Sequence, residues 1–161
     1  MESTKTIIEH LNCILKNELT AISQFFLHSR MLGEWGVDNL SKKAYHEAIE
    51  EMEHADKLIK RILVLDGLPN LQTLNTLRIG KNVKEIIEYD LAIEVDALHF
   101  LQSAIADAEL IRDYVTRKLL VQIIEDEEEH MNDLKTQLEL LGRIGSEHYI
   151  HLKSVISNVT E

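Results

Sequence analysis

Four glutamates constrain this chain more than any other residues, because each stands at the middle of an apolar helical stripe. At about 100° per residue, Ile7, Leu11, Ile14, Ile22 and Phe25 all project within about 40° of Glu18. The same arc around Glu51 holds Ala44, Ala55, Leu58, Ile62 and Leu65, and around Glu94 it holds Val83, Ile87, Leu98, Leu101 and Ile105. Around Glu127 it holds Leu120, Ile123, Met131, Leu134, Leu138 and Leu141. A helix buries such a stripe, so each acid is carried into a core with it. There an unpaired carboxylate costs several kcal/mol or neutralises by taking up a proton.

The acids are also ordered along the chain. Glu18 precedes Glu51 by 33 residues, and Glu94 precedes Glu127 by 33. The pair Glu51-x-x-His54 returns 76 positions later as Glu127-x-x-His130. Three residues apart on a helix, each Glu and His share a face. Two halves of the chain therefore each supply one lone Glu and one Glu-x-x-His.

The periodicity predicts long helices at about 4–35, 39–65, 82–111 and 113–142, and a short one near 146–157. Six glycines and one proline in 161 residues leave few breakers. Gly33 and Gly36 are expected to end the first helix, Asp66-Gly67 ahead of Pro69 the second, and Gly142 and Gly145 the fourth, with Asp38 or Asn39 capping the second. The stretch GLPNLQTLNTLRIGKN is long for a connection without structure of its own. A crossover running the length of a four-helix bundle accounts for it. The expectation is an all-α four-helix bundle with one long crossover and a short fifth C-terminal helix, forming a single domain over residues 1–161.

Seventeen basic against 28 acidic residues give a formal net charge of −11, which argues against a nucleic-acid partner. The lone Cys13 excludes an intrachain disulfide and suits a reducing compartment. MESTKTIIEHLN has no apolar signal core, and no run approaches the ~18 apolar residues of a membrane span. A soluble, cytoplasmic protein without a membrane partner is expected.

Four converging carboxylates need positive charge, and neither Lys nor Arg lies near them on the stripes (Arg61 stands toward one flank). Two divalent cations would balance four carboxylates, with two neutral imidazoles completing six ligands: Glu18, Glu51, His54, Glu94, Glu127 and His130. Carboxylate oxygen with imidazole nitrogen suits iron or manganese, and zinc or cobalt also binds such groups. Any single Glu-x-x-His arises easily by chance. Two copies, each with a partner Glu at the same spacing and all four acids on buried faces, do not.

This ligand set is the one known from ferritin-like di-iron carboxylate bundles. Taken with LNCILKNELTAISQFFLHSRM, AYHEAIEEMEHADKLIKRIL, GLPNLQ, DYVTRKLL and EDEEEH, the chain resembles bacterioferritin, the haem-containing branch of the ferritin family, over nearly its whole length. The resemblance implies a ferritin-like fold and a hollow homo-oligomeric shell of 24 subunits built from two-fold dimers, in which a second ferritin subunit can co-assemble. It implies ferroxidase activity, the oxidation of Fe²⁺ by O₂ or H₂O₂ with storage of a ferric mineral, and iron release through a ferredoxin-type electron donor. The six ligands match every position of the family's ferroxidase centre, Glu51 and Glu127 as bridging carboxylates, Glu18 and Glu94 as terminal ones. Phe25 and Leu58 stand on faces of the site and offer no phenol, whereas many members of the family have tyrosine at the position of Phe25.

Met52 projects about 100° away from Glu51. Tyr45, Ile49, Ile59 and Leu63 lie near its direction, so helix two is apolar on a second side. A methionine there either fills the bundle edge or belongs to a contact between subunits. The resemblance makes it the ligand of haem b, which two copies of Met52 would bind across a two-fold axis. Leu19, Ile22, Phe26, Tyr45 and Ile49 would be its walls, and Glu53 stands where a basic residue is common.

His46 and Glu50 form an i, i+4 pair that reads either as solvated polar residues or as a relay passing iron to the cavity. His148 and His151 on the last helix read either as surface histidines or as a ring at four-fold pores. His10, His28 and His99 lack a partner at ligand spacing, and Cys13 carries no chemistry. Two other functions remain open. A rubrerythrin-like di-iron peroxidase would use the same ligands without storage, although one cysteine cannot build a rubredoxin module. A metal-free helical interaction protein would tolerate loss of Glu127.

Overall fold

The structure, a computed structural model, describes residues 2–154. Five helices follow one another: α1 (Glu2–Glu34), α2 (Asp38–Val64), α3 (Val83–Leu110), α4 (Tyr114–Ile144) and α5 (Ser146–Ser154). Residues 155–157 of the expected last helix lie outside the described residues. α1 packs along α2 and α3 along α4, and α1 meets α3 across the bundle, while α5 lies against α4, α2 and α3. Among the described residues no helix is long and apolar enough to cross a membrane.

The apolar stripes are buried as their period requires. Ile7, Leu11, Ile14, Leu58, Ile62, Leu101, Leu120 and Ile123 share one core cluster with the small residues Ala55, Ala97, Ala104 and Ala108. A second cluster toward α5 contains Leu32, Val37, Leu40, Ala44, Ile87, Leu134, Leu141 and Tyr149.

Helix ends differ in detail from the expectation. Three helices stop in one hydrogen-bonding pattern, in which the amide three residues past the last helical residue returns to a carbonyl five residues earlier. The bonds are Val37 N–H to Leu32 O (2.9 Å), Gly67 N–H to Ile62 O (2.9 Å) and Asp113 N–H to Ala108 O (2.9 Å). The left-handed residue each end requires is Gly36 (φ 79°), Asp66 (φ 61°) and Arg112 (φ 63°). Gly67 therefore follows the αL position at the end of α2 rather than occupying it. Gly142 stays inside α4, and Gly145 (φ 84°) is the residue that caps it. The N-cap of α2 is Val37, so Asp38 lies within the first turn, where its charge suits the helix dipole. Asn82 does cap α3, accepting from Glu85 N–H at 2.9 Å. Asp113 caps α4, and the Arg61 guanidinium ties this cap to α2 at 2.8 Å.

The crossover is fastened to α1 by a polar stripe. Asn12 accepts from Asn70 N–H (2.9 Å), Thr20 from Asn75 N–H (2.9 Å), Gln24 from Arg78 N–H (3.0 Å) and His28 Nε2 from Gly80 N–H (3.0 Å). With Nε2 accepting, the His28 proton is on Nδ1, which donates to buried Asp90 at 2.8 Å. Gln24 donates to the same carboxylate at 2.9 Å. Gly80 lies so close to α3 that a Cβ would sit 2.5 Å from the Ile86 nitrogen. His28 thus has a structural role that its spacing in the sequence did not disclose. Asp90→Ala leaves the buried His28 Nδ1–H and the Gln24 side-chain amide N–H without their acceptor, and is expected to cost about 2–4 kcal/mol in chemical denaturation.

Candidate metal centre

Each of the four long helices delivers its acid to the same place. Glu18 comes from α1, Glu51 and His54 from α2, Glu94 from α3, Glu127 and His130 from α4, and all six are buried. They form two groups, Glu18–Glu51–His54–Glu127 and Glu51–Glu94–Glu127–His130, in each of which one donor atom per residue lies within 4.8 Å of the others. Glu51 and Glu127 belong to both. His54 Nδ1 lies 2.9 Å from Glu127, 3.4 Å from Glu51 and 3.6 Å from Glu18. His130 Nδ1 lies 3.3 Å from Glu51 and 3.8 Å from Glu94.

These atoms are close but not hydrogen-bonded to one another. Both carboxylate oxygens of Glu18, Glu51 and Glu94, one of Glu127, and Nδ1 of both histidines are buried without a hydrogen-bond partner. Buried polar groups are nearly always paired, so this concentration of unpaired donor atoms forms two groups that could each hold a cation. Hard carboxylates with imidazole nitrogens suit Fe²⁺ or Mn²⁺.

Without metal, protons must do the balancing. Burial alone would lower the His54 pKa, but the adjacent Glu127 and Glu51 carboxylates prevail and raise it to about 11. Burial likewise opposes the charge on His130, and Glu51 chiefly overcomes it, raising the pKa to about 10. Burial pushes Glu94 well up, reinforced by the charges of Glu51 and Glu127. Burial and the Glu51 charge also raise Glu127. For Glu51 the desolvation cost is outweighed by His130 and His54, and its pKa falls. One acid buried in the same helix was not anticipated: Glu47, one turn before Glu51, is pushed by burial up to about 7 despite Lys43 at 3.8 Å.

Two further carboxylates touch the imidazoles from outside. Asp126 Oδ2 lies 2.8 Å from His54 Nε2, and Glu50 Oε2 bonds to His130 Nε2. Sequence reasoning missed Asp126 and gave Glu50 only its pairing with His46, which is present at 2.7 Å. A signal was available: Glu50 and Asp126 are themselves 76 residues apart, each immediately before a shared glutamate. His46, Glu50, His54, Asp126 and His130 line one pocket on the α2–α4 side.

The remaining candidates lie elsewhere. Met52 is 52% exposed, on a face it shares with exposed Phe26 and Tyr45. The two rings are 6.3 Å apart, with the Arg30 guanidinium over both. Ile49, Met52, Glu53, Asp56 and Lys57 line a shallow depression there. Phe25 and Leu58 are fully buried, and Cys13 is exposed. His10 pairs with Asp107 at 2.6 Å, an ion-pair partner 97 positions away that local spacing does not reveal. His148 Nδ1 donates across the α4–α5 junction to Ile144 O at the end of α4 (3.0 Å), and His151 is exposed.

Comparison with known proteins agrees with this architecture. A family model for the ferritin-like domain matches residues 8–144. The chain is 45% identical to the bacterioferritin of Brucella melitensis biotype 1 over 161 residues, the full length of both. It is 42% identical to the bacterioferritin of Rhodobacter capsulatus, again over the full length of both. It is 44% identical to that of Mycobacterium tuberculosis (strain CDC 1551 / Oshkosh) over 149 residues, 92% of this chain and 94% of the other. With the bundle, the buried carboxylate–imidazole cluster and full-length identity in agreement, this chain belongs to the bacterioferritin family.

Proposed function

We propose that the protein stores iron by oxidising Fe²⁺ at the buried six-residue centre and holding the ferric product within a 24-subunit shell. The observation that carries this reading is the overlap of two donor groups at Glu51 and Glu127. Two Fe²⁺ held by one pair of shared carboxylates can each give one electron to the same oxidant. O₂ then takes two electrons and two protons to become H₂O₂, and H₂O₂ takes two more of each to become two waters. Glu18 with His54, and Glu94 with His130, complete the two positions. The imidazoles give up their protons as the ions arrive, and the hard carboxylates favour Fe³⁺. Phe25 and Leu58 line the core with groups that cannot supply a further electron, so the iron pair is the electron source.

Haem b would sit on the exposed Met52 face, where Met52 and Ile49 share a depression with Glu53, Asp56 and Lys57, and where Phe26 and Tyr45 are also exposed. Met52 from each of two subunits would bind the iron across a two-fold axis, with Phe26 and Tyr45 among the walls. Bound haem supplies a one-electron couple for iron release, fed by a ferredoxin-type donor. An isologous contact through this face would also cover its apolar surface.

Gel filtration with absorption spectroscopy tests the assembly and the haem together. The expected particle is several hundred kDa and carries a Soret band, which Met52→Leu abolishes without changing the elution volume. A dimer-sized particle would favour a compact di-iron peroxidase. An unchanged Soret band in the variant would remove Met52 as ligand.

A further inference from the structure

We propose that Asp126 is the positioning residue for one half of the metal centre, and that the two metal positions are consequently held unequally. A metal-binding imidazole is aimed by whatever accepts the proton on its other nitrogen. Asp126 Oδ2 lies 2.8 Å from His54 Nε2, which places the proton on that side and leaves Nδ1 free to face Glu18, Glu51 and Glu127. The polar pocket beside α2 and α4 otherwise exposes this nitrogen to solvent and to passing cations, so the carboxylate also decides which nitrogen serves the centre.

Glu50 occupies the equivalent place for His130, and the two bonds cross between the repeats: the acid before Glu51 holds the histidine after Glu127, and the converse. The repeats differ in what else these acids do. Glu50 also meets His46 Nε2 at 2.7 Å, whereas the residue 76 positions beyond His46 is Gln122. Among the described residues Asp126 bonds to His54 alone. His54 is therefore aimed by a carboxylate with no other duty, and His130 by one divided between two imidazoles. The Glu18–His54 position is the firmer of the two, and Asp126 makes it so.

This inference rests on the two-metal reading, and Co²⁺ titration of the full-length assembled protein, followed by visible absorption, separates the two. The wild type is expected to take up two Co²⁺ per chain. Asp126→Ala should keep one ion at wild-type affinity and bind the other about 10–100-fold more weakly, with Asp126→Asn in between. The side chain is 52% exposed, so these replacements open no core cavity, and the metal-free variants should fold and assemble as the wild type does, with melting lowered only by the loss of one contact to His54. Assignment comes from two backgrounds. With Glu94→Ala, which spares the Glu18–His54 position, Asp126→Ala should weaken the remaining ion by the same factor; with Glu18→Ala it should change nothing. Equal weakening of both ions, weakening of neither, or loss in the Glu18→Ala background would overturn the role given to Asp126. A wild type that takes up no Co²⁺ would overturn the two-metal reading itself.

Discussion

Glu127→Ala is expected to slow aerobic Fe²⁺ oxidation by more than about 100-fold, because loss of an outer carboxylate alone costs about 10–100-fold and Glu127 belongs to both donor groups. The same change should not harm the bundle. In the metal-free protein Glu127 is a buried acid whose pKa is raised by burial and by Glu51, so removing it relieves a desolvation cost and a repulsion that offset the loss of its contact with His54. The variant should melt at or above the wild-type temperature without metal and elute at the same volume. This pairing of lost activity with retained or improved stability separates a metal ligand from a structural residue. A core leucine such as Leu120 would behave in the opposite way, with truncation costing about 2–5 kcal/mol. Oxidation at the wild-type rate in Glu127→Ala would return the cluster to the status of an unusual but inert core.

The second large effect is the dependence of stability on metal and pH together. In the folded, metal-free protein His54 and His130 hold protons up to about 11 and about 10, against an ordinary value of 6.5. Their protonation therefore supports the fold fully below pH 6.5, and this support is lost as pH rises from there through 10 and 11. Glu94 and Glu127, also raised, act in the same direction, while the lowered Glu51 acts only as pH falls below its ordinary 4.5 and adds nothing to this trend. The metal-free protein should melt at progressively lower temperature between pH 6.5 and 9. Bound cations replace the protons, so the loaded protein should show little of this trend. At a hundredfold excess over Kd, each site adds about 2.7 kcal/mol, roughly 10–20 °C for two sites in a domain of this size. Melting curves with and without Co²⁺ at pH 6.5 and 8.5 measure the gap, which should widen at the higher pH. A gap that closes as pH rises would mean that the histidines are not ligands.

Local periodicity carried much of this picture and failed where the decisive contact was distant. The six buried donors could be placed together because each acid is embedded in a stripe whose burial is dictated by Ile7, Leu58, Leu101, Ile123 and their neighbours. Helix ends were less legible, because Asp66 and Arg112 adopt the left-handed conformation where glycine would be the ordinary choice. His28 and Asp90 are 62 residues apart and meet only once the crossover has folded along α1. The polar stripe Asn12, Thr20, Gln24, His28 does have a spacing of eight, four and four, but it reads as a solvated face until a strand of chain is laid upon it. Asp126 was hidden for a different reason. It sits in EDEEEH among acids that do face solvent, and its 76-residue relation to Glu50 gains meaning once the fold turns it to His54.

The most direct test of the central claim is rapid mixing of the metal-free protein with increasing Fe²⁺ in air, recording the fast absorbance rise of ferric product. A centre for two irons requires that its amplitude saturate at two Fe²⁺ per chain, one for each donor group, and that it vanish in Glu127→Ala. A fast phase that saturates at one Fe²⁺ per chain, or oxidation no faster than in protein-free buffer, would contradict it.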